Sequence, residues 1–331
     1  MTLQITIVGL GQIGASLGLA LGTHKDQVHR TGHDHIILVA RQAEKMGAVD
    51  KITLNLPAAV RDADLVLLTL PLDQIRATLE IIAPILKEGA VVMDTAPAKE
   101  AMITWTDELL PAGRYYVGLT PVLNPAHLHK PASGIEAAAA DLLYGGMMAI
   151  VAPARTPPQA VQLASDLARL VGTKAYFTDP FEMDGLMAST HVLPQLLAAA
   201  LLNATLDQPG WSEGRKVAGR SFTEVTNPIL HPTPPQALRA AALLNQKNIV
   251  RILEDVIASL QAIRDEVAND DAKALDQRLA DLRHGREEWW QQRQASQWSS
   301  EGTPSVDLPA SGDMFGRMLG MGRKRGKERL K

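Results

Sequence analysis

A glycine-rich turn near the start of the chain constrains the fold more than any other feature. Residues 9–14 read GLGQIG, directly after the apolar run ITIV and at the start of the helical segment GASLGLALGTH. In such a strand–turn–helix, Gly9 makes the tight turn, Gly11 lets the backbone approach a pyrophosphate, and Gly14 lets helix and strand pack closely. Unpaired N–H groups at the helix start favour phosphate. The residues predicted to bind a dinucleotide here are Gly9, Leu10, Gly11, Gln12, Ile13 and Gly14.

An acidic residue at the end of the second strand indicates which dinucleotide is bound. Asp34 closes the run VHRTGHD, twenty residues after Gly14. Its carboxylate is suited to accept hydrogen bonds from the adenosine ribose hydroxyls, and it would repel a 2′-phosphate. This favours NAD as the cofactor, while the nearby His35 and Arg41 leave NADP open. A Rossmann-like scaffold that binds no nucleotide is the alternative interpretation.

Strands and helices alternate through the first half of the chain. The strand candidates are QITIVGL, VHRTGHD, ADLVLLTLP, GAVVMDT, YYVGLTP and MMAIVAP, with helical stretches between them. This alternation predicts a Rossmann-type, doubly wound parallel sheet, and LVLLTL is as apolar as a strand covered on both faces should be. Leu70, Pro71 and Asp94 lie at the carboxyl ends of two of these strands. They are predicted to contact the cofactor, because ligands bind at the carboxyl ends of such strands.

The strand pattern ends near residue 180, and the rest of the chain reads as α-helical. The predicted helices cover residues 182–207, 235–268 and 270–296, with a loop rich in Gly, Pro, Ser and Thr at 208–234. The apolar stripe of the second helix is broad, which favours packing against a second subunit. The sequence therefore predicts three regions: a Rossmann NAD(P)-binding domain at 1–180, an α-helical substrate and dimerisation domain at 181–296, and a disordered basic tail at 297–331.

Composition argues against several classes of function. A net charge of −3 gives no general case for binding nucleic acid or a membrane surface. The absence of cysteine excludes disulfides, thiolate nucleophiles and cysteine-ligated metal, and no metal site is predicted. The first residues lack the basic start and cleavage site of a signal peptide, and no uncharged apolar run looks long enough to span a bilayer. We expect a cytoplasmic protein that binds neither nucleic acid nor membranes.

An ordered set of motifs over residues 4–292 resembles the prephenate and arogenate dehydrogenase family. After IVGLGQIGASLGLAL come ADLVLLTLPLDQI, VVMDTAPAK and YYVGLTP, followed by EMD, THVLPQLLAAAL and LLNQKNIVRILEDVIASLQAIRD. The first motif is shared by many dehydrogenases, whereas the ordered set with the LPxLLAxAL helix is more specific. The resemblance implies a nucleotide domain, a helical dimerisation domain and an active site between them.

The same resemblance implies a reaction. A hydride leaves the carbon that bears the substrate's ring hydroxyl, and the ring carboxylate is lost as CO2, in a step of tyrosine biosynthesis. The protein then has to accept the hydroxyl proton, bind a small-molecule carboxylate and hold the reacting carbon against the nicotinamide.

The chain departs from the family where the chemistry is expected. The family's catalytic histidine falls on Thr120, and the serine of its DxGSxK segment falls on Pro97. Its substrate-binding arginine falls on Asn227. The helical motif SHLPH reads HVLPQ here, so the residues at its serine and two histidine positions are His191, Val192 and Gln195.

Two interpretations of these departures remain open. In the first, the chemical groups have moved: His127 or His129 swings into the cleft as the proton acceptor, His191 is a second polar contact or itself the acceptor, and Arg215 or Arg220 replaces the missing cation. In the second, the chain is an NAD-dependent dehydrogenase of another small acid, or a non-catalytic NAD-binding sensor or scaffold. The candidate catalytic residues are His191, His127, His129, Thr120 and Asn227.

Overall fold

One eight-stranded sheet organises the first domain of the computed structural model, which describes residues 2–130, 133–230 and 234–295. The most apolar runs, LVLL and VVMD, form central strands in which every residue is buried, as expected where helices cover both faces. In chain order the strands are β1 (Leu3–Val8), β2 (Val28–His33), β3 (Lys51–Ile52), β4 (Leu65–Leu68), β5 (Val91–Asp94), β6 (Tyr115–Pro121), β7 (Met147–Val151) and β8 (Lys174–Phe177).

The order of the strands opens a crevice beside β1. The sheet runs β3-β2-β1-β4-β5-β6-β7-β8, so the chain leaves β3 at one edge and re-enters at β4 on the other side of β1. Such a reversal leaves room for a ligand at the carboxyl ends of the strands. Neighbouring strands are parallel except for β6 and β7, which are joined by a loop at one edge instead of a crossover helix.

Helices cover both faces of this sheet and enclose two apolar cores. Residues of the first and last helices pack on one face, with Leu17 and Leu163 in the same core. Residues such as Leu79 and Met102 build the core on the other face. The helices are α1 (Gln12–Leu21), α2 (Ile37–Lys45), α3 (Leu56–Val60), α4 (Leu72–Ile82), α5 (Lys99–Leu109) and α6 (Pro158–Leu170).

The second domain is helical from Pro180 onward. Its first helix, α7 (Pro180–Met187), continues through a π-turn (Ala188–Val192) into α8 (Leu193–Leu206). The later helices are α9 (Trp211–Val217), α10 (Arg220–Thr226), α11 (Pro235–Leu244), α12 (Gln246–Ala268) and α13 (Ala272–Ala295). The predicted fold class, a Rossmann-type sheet followed by a helical domain, is confirmed. The predicted tail at 297–331 lies outside the described residues.

Two segments of the helical domain differ from the sequence-based prediction. The expected loop at 208–234 contains the short helices α9 and α10. The expected helix at 235–268 is interrupted at Asn245, whose φ of −116° and ψ of 34° depart from helical values. The side-chain amide of Asn245 donates to the backbone oxygen of Asp184 at 2.7 Å, and this contact ties the junction of α11 and α12 to α7.

The joined helix Pro180–Leu206 is long and apolar enough to cross a bilayer, which corrects the expectation that the chain has no such stretch. The π-turn carries the helix through Pro194 and so joins two shorter apolar helices into one run. Of its most apolar part, 28% is buried within the monomer, where the run contacts α5 and α12. A helix that packs in a protein interface passes the same test of length and composition.

The last described helix returns to the first domain. Near the end of α13, Arg293 donates a hydrogen bond to the backbone oxygen of Leu123, 170 residues earlier in the chain. Trp290 packs edge-on against His129, with ring centroids 5.0 Å apart. The loop that follows β6 is therefore covered by a helix of the second domain.

Candidate active site

Close backbone contacts shape the glycine-rich turn. Gly9 has a φ of +92°, and a Cβ there would lie 2.6 Å from the carbonyl oxygen of Thr69. A Cβ on Gly14 would lie 2.0 Å from the carbonyl oxygen of Gly9. Glycine is required at both positions for β1, α1 and the end of β4 to approach one another.

Gly11 differs from these two glycines because it faces open space. A Cβ built there has no atom within 4 Å, and the residue lines a cleft. The N–H groups of the first turn of α1 have no partner within the helix, and no side chain caps them. The backbone thus presents donors and the positive end of a helix where a pyrophosphate would fit.

Asp34 lies beside this turn, directly after β2. One carboxylate oxygen accepts a hydrogen bond from Leu10 N at 2.8 Å, and the other accepts one from Ile36 N at 2.9 Å. The residue is 9% exposed, so the backbone on both sides fixes its position. The neighbouring His35 is exposed, with Nδ1 3.5 Å from the carboxylate. Asp34 therefore occupies the strand-end position from which an acid reaches a ribose.

A cleft of about 300 Å³ extends from the glycine-rich turn to the helical domain. The ends of β4 and β5 form one wall, and the π-turn, α8 and α11 form the other. The described lining residues are Gly11, Gln12, Ile13, Thr69, Leu70, Pro71, Leu72, Thr95, Ala96, Pro97, Gly134, His191, Val192, Gln195, Ala237, Leu238 and Ala241. Among these residues His191 has the only titratable side chain.

His191 lies in the π-turn between the two domains. Pro194 follows three residues later, and it has no N–H to donate and crowds the preceding turn, so the helix widens here. Gln195 Nε2 donates to the backbone oxygen of His191 at 2.9 Å. His191 is partly exposed and Gln195 is buried, and both belong to the cleft wall. The turn thus brings two polar side chains to an otherwise apolar wall.

Thr120 lies near the end of β6 and is 7% exposed. Its hydroxyl is the only buried side-chain polar atom without a hydrogen-bond partner in the described part of the chain. Strand side chains alternate, so Thr120 shares a face of β6 with Tyr116 and Gly118. Leaving a buried hydroxyl unpaired costs about 1–3 kcal/mol, which makes this atom a candidate ligand contact. Thr120 does not itself line the cleft.

The other candidate bases lie away from the cleft. His127 is buried, with Nε2 3.1 Å from Asp141 Oδ1 and Nδ1 3.3 Å from Lys130 Nζ. His129 packs against Trp290, as described above. These contacts account for both histidines without a ligand.

The candidate polar and cationic groups of the interdomain segment also lie outside the described lining of the cleft. Asn227 is exposed at the start of a 3₁₀ turn (Asn227–Leu230), while Arg215 and Arg220 are exposed on α9 and α10. The structure thus brings the glycine-rich turn, Leu70, Pro71 and His191 together. It does not bring Asn227 or either arginine to them.

A buried polar network lies behind the cleft, at the end of β5. Asp94 is fully buried rather than on the cleft wall, where a cofactor contact was predicted. Its carboxylate accepts hydrogen bonds from Lys99 Nζ at 2.9 Å and from the Tyr116 hydroxyl at 2.6 Å. Lys99 Nζ also donates to the backbone oxygen of Leu119 at 2.7 Å. These bonds engage both oxygens of Asp94, so it supports the cleft from behind.

Asp184 of α7 joins the same network from the helical domain. Its carboxylate accepts hydrogen bonds from the backbone N–H groups of Lys99 at 2.5 Å and Glu100 at 3.1 Å, at the start of α5. Burial raises the pKa of Asp184 to about 6, although these two hydrogen bonds oppose the rise.

Burial also shifts the other two titratable partners of the network. It lowers the pKa of the Lys99 ammonium, against the attraction of Asp94. Burial and the adjacent Asp94 carboxylate raise the pKa of Tyr116 well above its usual range. The network is therefore strongly desolvated.

A short segment of the β6–β7 loop lies over the start of α1. The Gln12 side-chain amide donates to the Ala137 carbonyl at 3.4 Å, and Ala139 N donates to Ser16 Oγ at 3.0 Å. Gly134, in the same segment, lines the cleft. The loop therefore forms part of the wall beside the glycine-rich turn.

Comparison with known proteins identifies the family. Residues 17–177 match the family described as prephenate dehydrogenase, nucleotide-binding domain, and residues 179–281 match prephenate dehydrogenase, dimerization domain. The chain belongs to the prephenate dehydrogenase family. The predictions of an NAD-dependent dehydrogenase and of this family are therefore confirmed.

Individual members of the prephenate dehydrogenase family are distant in sequence but similar over most of their length. A prephenate dehydrogenase of Bacillus subtilis is 28% identical over 276 residues, which cover 82% of this chain and 72% of that protein. A cyclohexadienyl dehydrogenase of Zymomonas mobilis is 25% identical over 279 residues, 82% of this chain and 91% of that protein.

The fold of a solved family member also matches. The crystal structure of prephenate dehydrogenase from A. aeolicus, in complex with hydroxyphenyl propionate and NAD+, superposes with a TM-score of 0.75 at 21% identity. The match covers 87% of this chain and 98% of that chain.

Sequence reasoning missed two features of this family member's site. It did not identify α11 as a wall of the cleft, although Ala237, Leu238 and Ala241 follow a helical spacing. It also did not connect Lys99 with Asp184. The available signal was Asp184 in otherwise apolar surroundings, because such a carboxylate is buried only when donors satisfy it, and here the donors are the backbone N–H groups of Lys99 and Glu100.

Proposed function

We propose that this protein oxidises a cyclohexadienol carboxylic acid, prephenate or arogenate, in a step of tyrosine biosynthesis, with NAD as the hydride acceptor. The observation that carries the proposal is the position of His191. It is the only titratable side chain on the described wall of a cleft that also contains the glycine-rich turn. The relatives' names, prephenate dehydrogenase and cyclohexadienyl dehydrogenase, support a substrate of this class.

His191 is the proposed proton acceptor. Bound NAD supplies the carbon that takes up the hydride, and the substrate's ring carboxylate leaves as CO2. The protein must then remove the proton of the ring hydroxyl, and an imidazole is suited to this near neutral pH. The backbone N–H groups at the start of α1 hold the pyrophosphate, and Asp34 binds the adenosine ribose.

Thr120 is proposed as a second polar contact rather than as a base. Its unpartnered hydroxyl can donate a hydrogen bond to a substrate oxygen, which removes the cost of its burial. His127, His129 and Asn227 were candidates from the sequence, and their surroundings give no support for a role on bound substrate. Gln195 is added as a polar contact because it shares the wall with His191.

A second substrate class is favoured by one observation. No lysine or arginine side chain belongs to the described lining of the cleft, whereas prephenate carries two carboxylates. An NAD-dependent dehydrogenase of a small acid with less negative charge therefore remains the alternative. A direct comparison of substrates separates the two.

We further propose a homodimer formed through the helical domain. The match to a dimerization domain supports it, as do exposed apolar side chains on α12, including Ile257 and Leu260. The long apolar helix Pro180–Leu206 is assigned to this assembly rather than to a membrane. A cytoplasmic location stays a prediction.

The test is the formation of NADH, followed by its absorbance, with prephenate and arogenate each offered with NAD and with NADP. Turnover with NAD is expected, and His191→Ala should lower kcat by roughly 10²–10⁴-fold. His129→Ala is the matched control, because His129 packs on Trp290 outside the cleft, and it should retain most activity. Clear NADH binding without turnover of either substrate would refute the proposed substrates.

A further inference from the structure

We propose that Lys99 is a positioning residue that holds the two candidate substrate groups, Thr120 and His191, in one frame although they belong to different domains. This inference rests on the proposed function for its catalytic consequence. Its structural part can be tested without turnover.

The side chain of Lys99 fixes the end of β6. Its Nζ donates to the Leu119 carbonyl at 2.7 Å, directly before Thr120, and to Asp94 Oδ1 at 2.9 Å. A Cβ on Gly118 would lie 2.9 Å from Lys99 Cδ, so the strand carries glycine where the lysine passes. The orientation of the residues at the end of β6 therefore depends on a fully buried ammonium group.

The backbone of Lys99 fixes the helix that carries His191. Its N–H donates to Asp184 Oδ1 at 2.5 Å, and Asp184 is 1% exposed. Asp184 belongs to α7, which runs without a break through the π-turn to His191, seven residues later. The side-chain amide of Asn245 also donates to the backbone oxygen of Asp184. A single residue thus bonds to both domains within the sheet–helix interface.

A purely stabilising role does not explain this arrangement well. Burying an ion pair is expensive, and an apolar pair of similar volume is often as stable or more stable. What the lysine side chain adds is a directed hydrogen bond to the strand end at Leu119, and the backbone N–H of the same residue makes the bond to the interdomain helix. Near-attack geometry is sensitive to displacements of about 1 Å, which cost up to roughly 10²-fold in rate.

The test compares two variants that disturb the same carboxylate. Lys99→Met with Asp94→Asn removes both charges together, so no unpaired charge is left buried. Tyr116→Phe is the matched control, because it removes the tyrosine's hydrogen bond to Asp94 and leaves the bonds of Lys99 in place. In the first variant kcat should fall roughly 10- to 100-fold, with the Kd for NADH within about twofold of the original. The control should keep kcat within about threefold.

Amide hydrogen exchange supplies the readout that does not need turnover. Exchange should rise at the end of β6, residues 119–122, in the charge-free variant and not in Tyr116→Phe, whereas residues 184–192 should stay protected because the backbone N–H of residue 99 still donates to Asp184. Asp184→Asn, which replaces one of the two accepting oxygens, should instead raise exchange along the interdomain helix, residues 184–192.

Unchanged exchange in the charge-free variant, or equal losses of kcat in both variants, would overturn the positioning role. If the unmodified protein turned over neither substrate, the proposed function would fail, and the exchange experiment would still decide this inference.

Discussion

Gly11 is the residue at which the backbone meets the cofactor most directly. A side chain there enters open space, in contrast to Gly9 and Gly14, where it would collide with backbone. Gly11→Asp should therefore fold normally and lose NADH binding by roughly 100-fold or more, because a carboxylate beside the pyrophosphate costs several kcal/mol. Fluorescence titration with NADH measures this. Gly11→Ala, which adds only a methyl group, is the control, and an unchanged titration of the Asp variant would refute the cofactor site.

Asp34 is the residue expected to select between NAD and NADP. Serine at this position removes the negative charge that would repel a 2′-phosphate. In Asp34→Ser the ratio of kcat/KM for NADP to that for NAD should rise about tenfold, which corresponds to ~1.4 kcal/mol. Steady-state kinetics with both cofactors measures the ratio. If the ratio stayed constant, selectivity would have to reside elsewhere, with the exposed Arg41 of α2 as the next candidate.

For single residues, the sequence predicts the site features that depend only on neighbours along the chain. The glycine-rich turn and Asp34 follow from the spacing of strand, turn and helix. The bond between Lys99 and Asp184 joins residues 85 positions apart, and no local pattern encodes it. The same limit applies to the surroundings of His127, because its contact with Asp141 depends on the path of the chain between the two residues.

Helix α5 depends on a carboxylate that another domain supplies. Asp184 accepts the first N–H groups of α5, and its pKa of about 6 lies above its unfolded value of 3.8. Between these values the folded protein binds more protons, so this group's stabilising contribution is complete below pH 3.8 and is lost as pH rises through 6. The difference amounts to about 3 kcal/mol at most.

Asp184→Asn should remove this part of the pH dependence. The free energy of unfolding, measured by denaturant titration between pH 4 and pH 7, should fall less with rising pH in the variant than in the original protein. Asp276→Asn changes an exposed acid on α13 and should leave the profile unaltered. Parallel profiles for Asp184→Asn and the original protein would contradict the assignment.

Elements were predicted best where the hydrophobic period was uninterrupted. The strands other than the two-residue β3, together with α1, α2 and α4, follow directly from the sequence pattern. The π-turn does not, although Pro194 marks the point where the helix must adjust. The break at Asn245 depends on a hydrogen bond to α7. Helix ends set by tertiary contacts of this kind have no signature of their own.

The exposed apolar face of α12 concerns the assembly of whole molecules. Ile257 is 54% exposed and Leu260 is 58% exposed in the monomer. If a second subunit covers them, replacing both with glutamate would bury two unpaired carboxylates, at a cost of several kcal/mol. The double variant Ile257→Glu/Leu260→Glu should therefore be monomeric by sedimentation velocity.

The control for this prediction is an equally exposed apolar residue of the first domain. Ile81 of α4 is 50% exposed, and Ile81→Glu should leave the sedimentation coefficient unchanged. A double variant that sediments like the original protein would exclude α12 from the interface.

The two-domain plan could be predicted because the hydrophobic pattern changes along the chain. Strands alternate with helices in the first half, and the second half has the helical pattern alone. The composition of the cleft could not be predicted, since six separate stretches of chain build it and α11 reaches it from beyond residue 234. Departures at the expected catalytic positions were visible in the sequence. Only the fold shows which histidine lies in the same cleft as the glycine-rich turn.

During synthesis on the ribosome, the hydrogen bond between Arg293 and Leu123 must form late. Chains emerge from the amino terminus, and domains generally fold as units in that order. The sheet can therefore assemble while α13 is still untranslated, but the loop after β6 stays without its cover until Trp290 and Arg293 arrive. Completion of the first domain is in this sense coupled to translation of the last described helix.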